Sequence, residues 1–196
     1  MKTLDLIRFF LMTLLITGVF TGMRAQTKFT GKEHINFNVS GTSTMHDWVM
    51  KSSLGDCTAT FVLDDKGNLK DVTAMNLTVS SKVLKSGKGA MDKNAYKALK
   101  ADKNPNITAV LKSAEVTTKD NKNFTVKSMI KLTIAGKTLD TELISQVKRI
   151  NDNSFSVKGE KKISMKDYGM EPPSFMLGAV TTGNDVVLNF DLVLNQ

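Results

Sequence analysis

Along most of this chain apolar residues fall at every second position. Ile35, Phe37 and Val39 alternate with Asn36, Asn38 and Ser40, the pattern of a strand buried on one face. Gly41-Thr42-Ser43 is expected to break that strand, and an extended segment resumes at Met45 to Met50, around Trp48. Cys57, Ala59, Phe61 and Leu63 repeat the period, and Asp64 to Asn68 has the composition of a hairpin loop. The return from Leu69 to Val79 slips in parity between Val72 and Met75, which predicts a bulge near Ala74. The cleanest alternation sets Phe124, Val126, Ile130, Leu132 and Ile134 against Thr125, Lys127, Lys131 and Thr133. A tight turn at Ala135-Gly136-Lys137 then leads into Leu139, Leu143 and Val147. Phe155, Val157 and Ile163 carry the next strand, and Val186, Leu188, Phe190, Leu192 and Leu194 the last.

One stretch keeps a different period. Met91, Ala95, Ala98 and Leu99 recur at i, i+4, i+7 and i+8, with Lys93, Asn94, Lys97 and Lys100 on the other faces, so a single short helix is expected there. Asn104-Pro105 should close it, since proline cannot continue the ladder and disfavours helical geometry in the residue before it. Ser80 to Gly89, ahead of the helix, reads as a flexible connection. Roughly eight to ten strands, apolar on one face and joined by short turns, make an all-β antiparallel fold. A sandwich and a closed barrel both satisfy the periodicity. Parity slips and glycines help strands coil around a corner, and the disulfide and Trp core of an immunoglobulin-type sandwich is missing, so the barrel is favoured. The expectation is an extended antiparallel β-barrel with one short inserted α-helix covering one end. About eight strands leave room inside for one apolar ligand.

The first residues change the picture. Lys2 and Arg8 precede the apolar run Phe9 to Phe20, too short for the ~20 residues of a spanning helix, so residues 1–25 read as a signal peptide and 26–196 as the folded domain. Met23, larger than the usual residue three places before a cut, leaves an uncleaved anchor as the alternative. The expected location is periplasmic or secreted. Without the leader the net charge is (27 − 3) − (19 − 1) = +6, spread as lysines, with Arg149 the one remaining arginine and no aromatics interleaved. That argues against nucleic acid as a partner. Cys57, the sole cysteine, shares parity with apolar neighbours and reads as a small buried residue.

Candidate chemistry is sparse. His46 beside Asp47 invites a general base, but neighbours on a strand point to opposite faces, so catalysis is not expected. His34 and His46 are the only histidines and lack a third ligand, so no metal and no cofactor is expected. Trp48 reads either as a core indole sealing the barrel floor or as a wall of the cavity. Phe61, Met75, Ile130, Leu132, Phe155 and Phe190 lie on apolar faces, as core or cavity wall, and a mixture of these with Met129 or Met165 would suit a flexible chain. Phe175, Met176 and Leu177 form an apolar run in a loop, either a lid or a docked segment. Lys85, Lys88 and Lys93 can be solvated or can meet an anionic headgroup.

Several segments together resemble the YceI-like family. Met91-Asp92, Tyr96, Ala98-Leu99-Lys100-Ala101 and Pro105-Asn106-Ile107 are similar to its helix-to-strand segment, and Leu132 to Thr138 (LTIAGKT) to its hairpin. Gly41-Thr42-Ser43 with His46 and Trp48 resembles its early strand, and Asp167-Tyr168-Gly169-Met170 its late turn. The resemblance spans about Thr30 to Leu194. It implies a lipocalin-like barrel, secreted or periplasmic, in which some members bind polyisoprenoid chains, quinones or related amphiphiles. Pro172-Pro173 with the run Phe175 to Leu177, and Tyr168 in place of phenylalanine, depart from the pattern and leave ligand identity open. The function expected is non-catalytic: an exported protein that sequesters or carries an isoprenoid or other long-chain lipid, touching membranes only transiently to load. Trp48, His46, Phe61, Met75, Met129, Ile130, Leu132, Phe155, Phe175 and Met176 are its candidate ligand contacts. The alternative is a filled barrel that presents its loops to a protein partner.

Overall fold

The computed structural model describes residues 26–32 and 35–196, without the Met176 side chain. The expected signal peptide, residues 1–25, and His34 lie outside the described residues. The strands are β1 (Gln26–Gly31), β2 (Ile35–Ser43), β3 (Trp48–Ser52), β4 (Asp56–Leu63), β5 (Leu69–Ser80), β6 (Asn106–Thr118) and β7 (Asn123–Ile134). They continue as β8 (Lys137–Asn151), β9 (Ser154–Ser164), β10 (Ser174–Phe175) and β11 (Val180–Asn195), with one helix, α1 (Gly89–Ala98).

All strand pairs are antiparallel, in the order β1-β4-β5-β6-β7-β8-β9-β11. The pair Thr30 with Asn195 brings β11 back to β1 and closes the barrel. Nearer its start β11 pairs with β2, and β2 with β3, so β1 and β2 share one position in the wall and β3 and β4 another. That sharing, and a two-residue β10, turn the expected eight to ten strands into eleven. The barrel is tall: the 16 residues of β11 span roughly 50 Å.

The local chemistry explains the walls. In β7 Phe124, Val126, Ile130, Leu132 and Ile134 are buried while Lys127 and Lys131 face water. Ala135 (φ 52°) and Gly136 (φ 84°) make the two-residue turn into β8, the left-handed pair that matches strand twist. Register shifts fall at Thr60/Phe61, opposite Ala74 and Val72, where the parity slip predicts a bulge, and a second shift falls at Leu111/Ser113.

The end of the barrel near the closure is solid. Phe29, Phe61 and Phe155 pack with ring centroids 5.0 to 5.2 Å apart, Phe155 standing edge-on to the other two. Leu69, Phe124 and Leu194 complete this floor. Cys57 is buried beside it, and burial pushes its thiol up to about 12, so it packs as a small apolar group.

Three local expectations need correction. Gly41-Thr42-Ser43 does not end its strand; β2 runs through Ser43, because Gly41 leaves room for the Trp48 indole, which a Cβ there would meet at 2.4 Å. The helix ends at Ala98, before Asn104-Pro105, because Lys100 (φ 51°) takes the left-handed capping position while Lys100 N–H donates to Lys97 O and Ala101 N–H to Tyr96 O (3.0 and 2.9 Å). Residues 80–89 are tied down at both ends. Ser81 N–H donates to Pro105 O (2.7 Å), Lys51 and Lys85 exchange backbone hydrogen bonds, and the Tyr96 hydroxyl sits 2.9 Å from the carbonyls of Lys82 and Leu84.

Candidate ligand cavity

The helix lies across the end opposite the floor and does not fill it. Its inner face carries Met91, Ala95, Ala98 and Leu99, and two of those four positions are alanine, too short to reach the strands below. A cavity of about 400 Å³ remains, within the range of small-molecule sites. Val39, Trp48 and Met50 form one wall; Val186, Leu188, Ile163 and Met165 form another; Ile107, Ile134 and Met170 line it further. Met45, Met50, Met91, Met165 and Met170 make these walls adaptable, because an unbranched thioether changes rotamer at little cost.

Polar groups in the lining are few: Ser43, His46, Lys88, Asn94 and Thr182, on or beside the 44–47 turn, the start of α1 and the start of β11. The Ser43 hydroxyl donates to His46 O (2.7 Å) and accepts from the N–H groups of Met45 and His46, which fixes the 44–47 turn. His46 Nδ1 donates to the Asp47 backbone carbonyl (2.8 Å) rather than to its carboxylate. The pair is not arranged as a base and its orienting acid, and no group of three or more His, Cys, Asp or Glu able to hold a metal occurs among the described residues. Trp48 Nε1–H donates to Thr42 O (3.0 Å), which satisfies the indole's polar edge and leaves its ring to the cavity.

Helix placement depends on Asp92, which is buried. Its Oδ1 accepts from the Ser86 hydroxyl (2.6 Å) and the Ser86 N–H (2.8 Å), and these bonds hold the carboxyl below the usual carboxylate range. A carboxyl depressed in the folded state stabilises above its unfolded pKa and loses that contribution as pH falls through the folded value. Asp92→Asn is therefore expected to lower stability by roughly 1–2 kcal/mol at neutral pH. The difference from the parent should shrink below about pH 4, as melting temperatures against pH would show. A constant difference would mean that the charge plays no part.

The late turn anticipated at Asp167 to Met170 supports the same cavity. Met165 and Met170 point into it, and buried Tyr168 places its hydroxyl 3.2 Å from Thr141 Oγ1. Burial raises the Tyr168 phenol above its ordinary value.

A second cavity of about 90 Å³ lies deeper, among Phe61, Met75, Leu77, Leu111 and Phe190. Between the two, Ile130 and Leu132 pack in a layer that lines neither.

The structure sorts the candidate contacts by height along the barrel. Trp48, His46 and Phe175 line the upper cavity, so Trp48 is a wall and not the floor. Phe61 and Met75 line the lower one. Phe155 is fully buried in the floor and lines neither. Met129 has to be corrected: its parity is opposite to that of Ile130, and its side chain faces out of the barrel beside Ser113 and Glu142. The Met176 side chain lies outside the described residues. The helix underside was missed, although its signal was present: a stripe at helical spacing with alanine at two of its positions is a face that leaves space.

Comparison with known proteins agrees with this fold. The YceI-like domain family matches residues 11–194. No curated protein matches the chain. A polyisoprenoid binding domain from Saccharophagus degradans implicated in plant cell wall breakdown has a TM-score of 0.65, covering 87% of this chain and 99% of its own at 11% identity. BcnA of Burkholderia cenocepacia has a TM-score of 0.60 over 80% of this chain and 95% of its own at 16% identity. The Campylobacter jejuni YCEI protein has 0.54, over 72% and 81%, at 19% identity. At these identities the likeness is one of fold.

Proposed function

The chain belongs to the YceI-like domain family, and on that premise we propose that it is an exported, non-catalytic carrier that holds a long isoprenoid, a quinone or a similar amphiphile in the upper cavity. The observation that carries the reading is the cavity itself, about 400 Å³ of apolar space roofed by a helix with alanines on its inner face. Its affinity would come from burial. A buried methylene contributes roughly 0.8 kcal/mol, so each five-carbon isoprene unit contributes roughly 4 kcal/mol against association costs of about 4–15 kcal/mol. Two or more units suffice to offset the lower part of that range. His46, Lys88 and Asn94 are available to a polar head. The apolar run Phe9 to Phe20 behind Lys2 and Arg8 supports export, and the insolubility of such ligands supports loading from a membrane.

Trp48 is the only tryptophan and its ring borders the cavity, so a bound quinone is expected to quench its emission. Protein purified from its native compartment without detergent is expected to carry an isoprenoid lipid near one per chain by mass spectrometry. Trp48→Ala should weaken retention about tenfold or more, the loss that goes with one aromatic wall. A clean protein that also leaves Trp48 emission unchanged when a quinone is added would overturn the carrier.

A further inference from the structure

We infer that the open end of the barrel is a docking surface for an anionic phospholipid bilayer, which the loop at Leu177 enters. The inference rests on the carrier reading for its purpose and on separate residues for its evidence. Leu177 and Met45 are the two most exposed large apolar side chains among the described residues, Leu177 fully and Met45 at 68%. Both stand at the same opening. Met45 is on its lip, and the loop of Leu177 is joined to the 44–47 turn through Thr44 N–H to Thr181 O (3.0 Å) and the Thr44 hydroxyl to Ala179 O (3.5 Å).

Leu177 is also held at φ 55°, a left-handed conformation that glycine or asparagine adopts with less strain. The fold therefore bears an unfavourable backbone and an exposed leucine at one residue and gains no internal packing from it. Hydrocarbon outside the protein supplies the missing partner. A bilayer suits this arrangement because single apolar tips around a hole need fluid chains, not a shaped groove.

Charge points the same way. Lys88 lies on the lip and enters none of the ion pairs among the described residues, and Lys93 follows it early in α1, whereas the Lys85 ammonium is held over the Tyr96 ring at 5.1 Å. Asp92, the carboxylate within this cluster, is buried and tied to Ser86. Asp47 and Glu171 are acidic neighbours of the opening, so attraction rests on Lys88 at the lip and on the chain's net charge of +6 without residues 1–25.

The test is sedimentation of the purified protein with vesicles of phosphatidylcholine mixed with phosphatidylglycerol, alongside Trp48 quenching by a short-chain quinone in solution. The parent is expected to bind mixed vesicles more tightly than phosphatidylcholine alone, and less tightly as salt rises. Leu177→Asp and Leu177→Gly should each weaken partitioning about tenfold or more, the factor that accompanies one buried leucine. Both should keep the parent's quenching, since Leu177 does not line the cavity. Leu177→Gly should melt no lower than the parent, because glycine suits the backbone there. Unchanged partitioning of either variant, or a parent that quenches with quinone and ignores vesicles, would overturn the docking surface and leave the carrier standing. Vesicle binding by a protein that shows no quenching and carries no lipid when purified would overturn the carrier alone.

Discussion

Ala98→Phe is expected to abolish ligand uptake while leaving the protein folded. Ala98 faces the cavity from the underside of α1, and a benzyl group there enters about 400 Å³ of existing space. The usual overpacking penalty of about 1–3 kcal/mol applies to a filled core. Here the ring meets space and apolar walls, so the melting temperature should hold or rise. The ligand, by contrast, loses the volume beneath the helix and its contacts with Ile107 and Leu188, and affinity should fall at least about a hundredfold, or ~2.7 kcal/mol. Lys97→Phe is the control, because Lys97 is exposed on the outer face of the same helix and should leave binding unchanged. Quinone titration of Trp48 emission with thermal melts separates the outcomes. An Ala98→Phe protein that binds as the parent does would place the ligand elsewhere.

What was legible in the sequence follows from which forces are local. The alternation in β7, the turn at Ala135-Gly136 and the bulge near Ala74 depend on residues close in sequence, and the pattern showed them. Helix length depended on a cap at Lys100 that no glycine announced, since lysine there occupies a conformation it seldom takes. The Ser80 to Gly89 segment looked loose because its anchors, Pro105 and the backbone of Lys51, lie far along the chain. The site was half visible for a related reason. Periodicity states that Phe61, Ile130 and Phe155 face inward, and it is silent about height along the barrel. Height is set by the pairing of Thr30 with Asn195, 165 positions apart, which draws the aromatic residues into a packed floor and leaves the helix end open. Met129 failed on parity alone, and the alternation already visible at Lys127 and Lys131 excluded it from the interior.

Phe155→Ala should produce the largest loss of stability, and little loss of ligand. Its ring is fully buried and meets both Phe29 and Phe61 edge-on at 5.2 Å, so truncation removes transfer energy and two aromatic contacts and leaves a void that three β-strands cannot collapse around. The expected cost is about 3–5 kcal/mol. For a chain of this size that lowers the melting temperature by roughly 10 °C. Quinone affinity at a temperature where the variant stays folded should match the parent, because Phe155 borders neither cavity and Ile130 and Leu132 intervene between the two. With Ala98→Phe the two substitutions should add, as distant sites do: one removes stability and keeps binding, the other removes binding and keeps stability. If Phe155→Ala instead releases the ligand with only a small thermal shift, the bound chain passes the Ile130 layer, the lower cavity of about 90 Å³ belongs to the site, and the floor is its far wall.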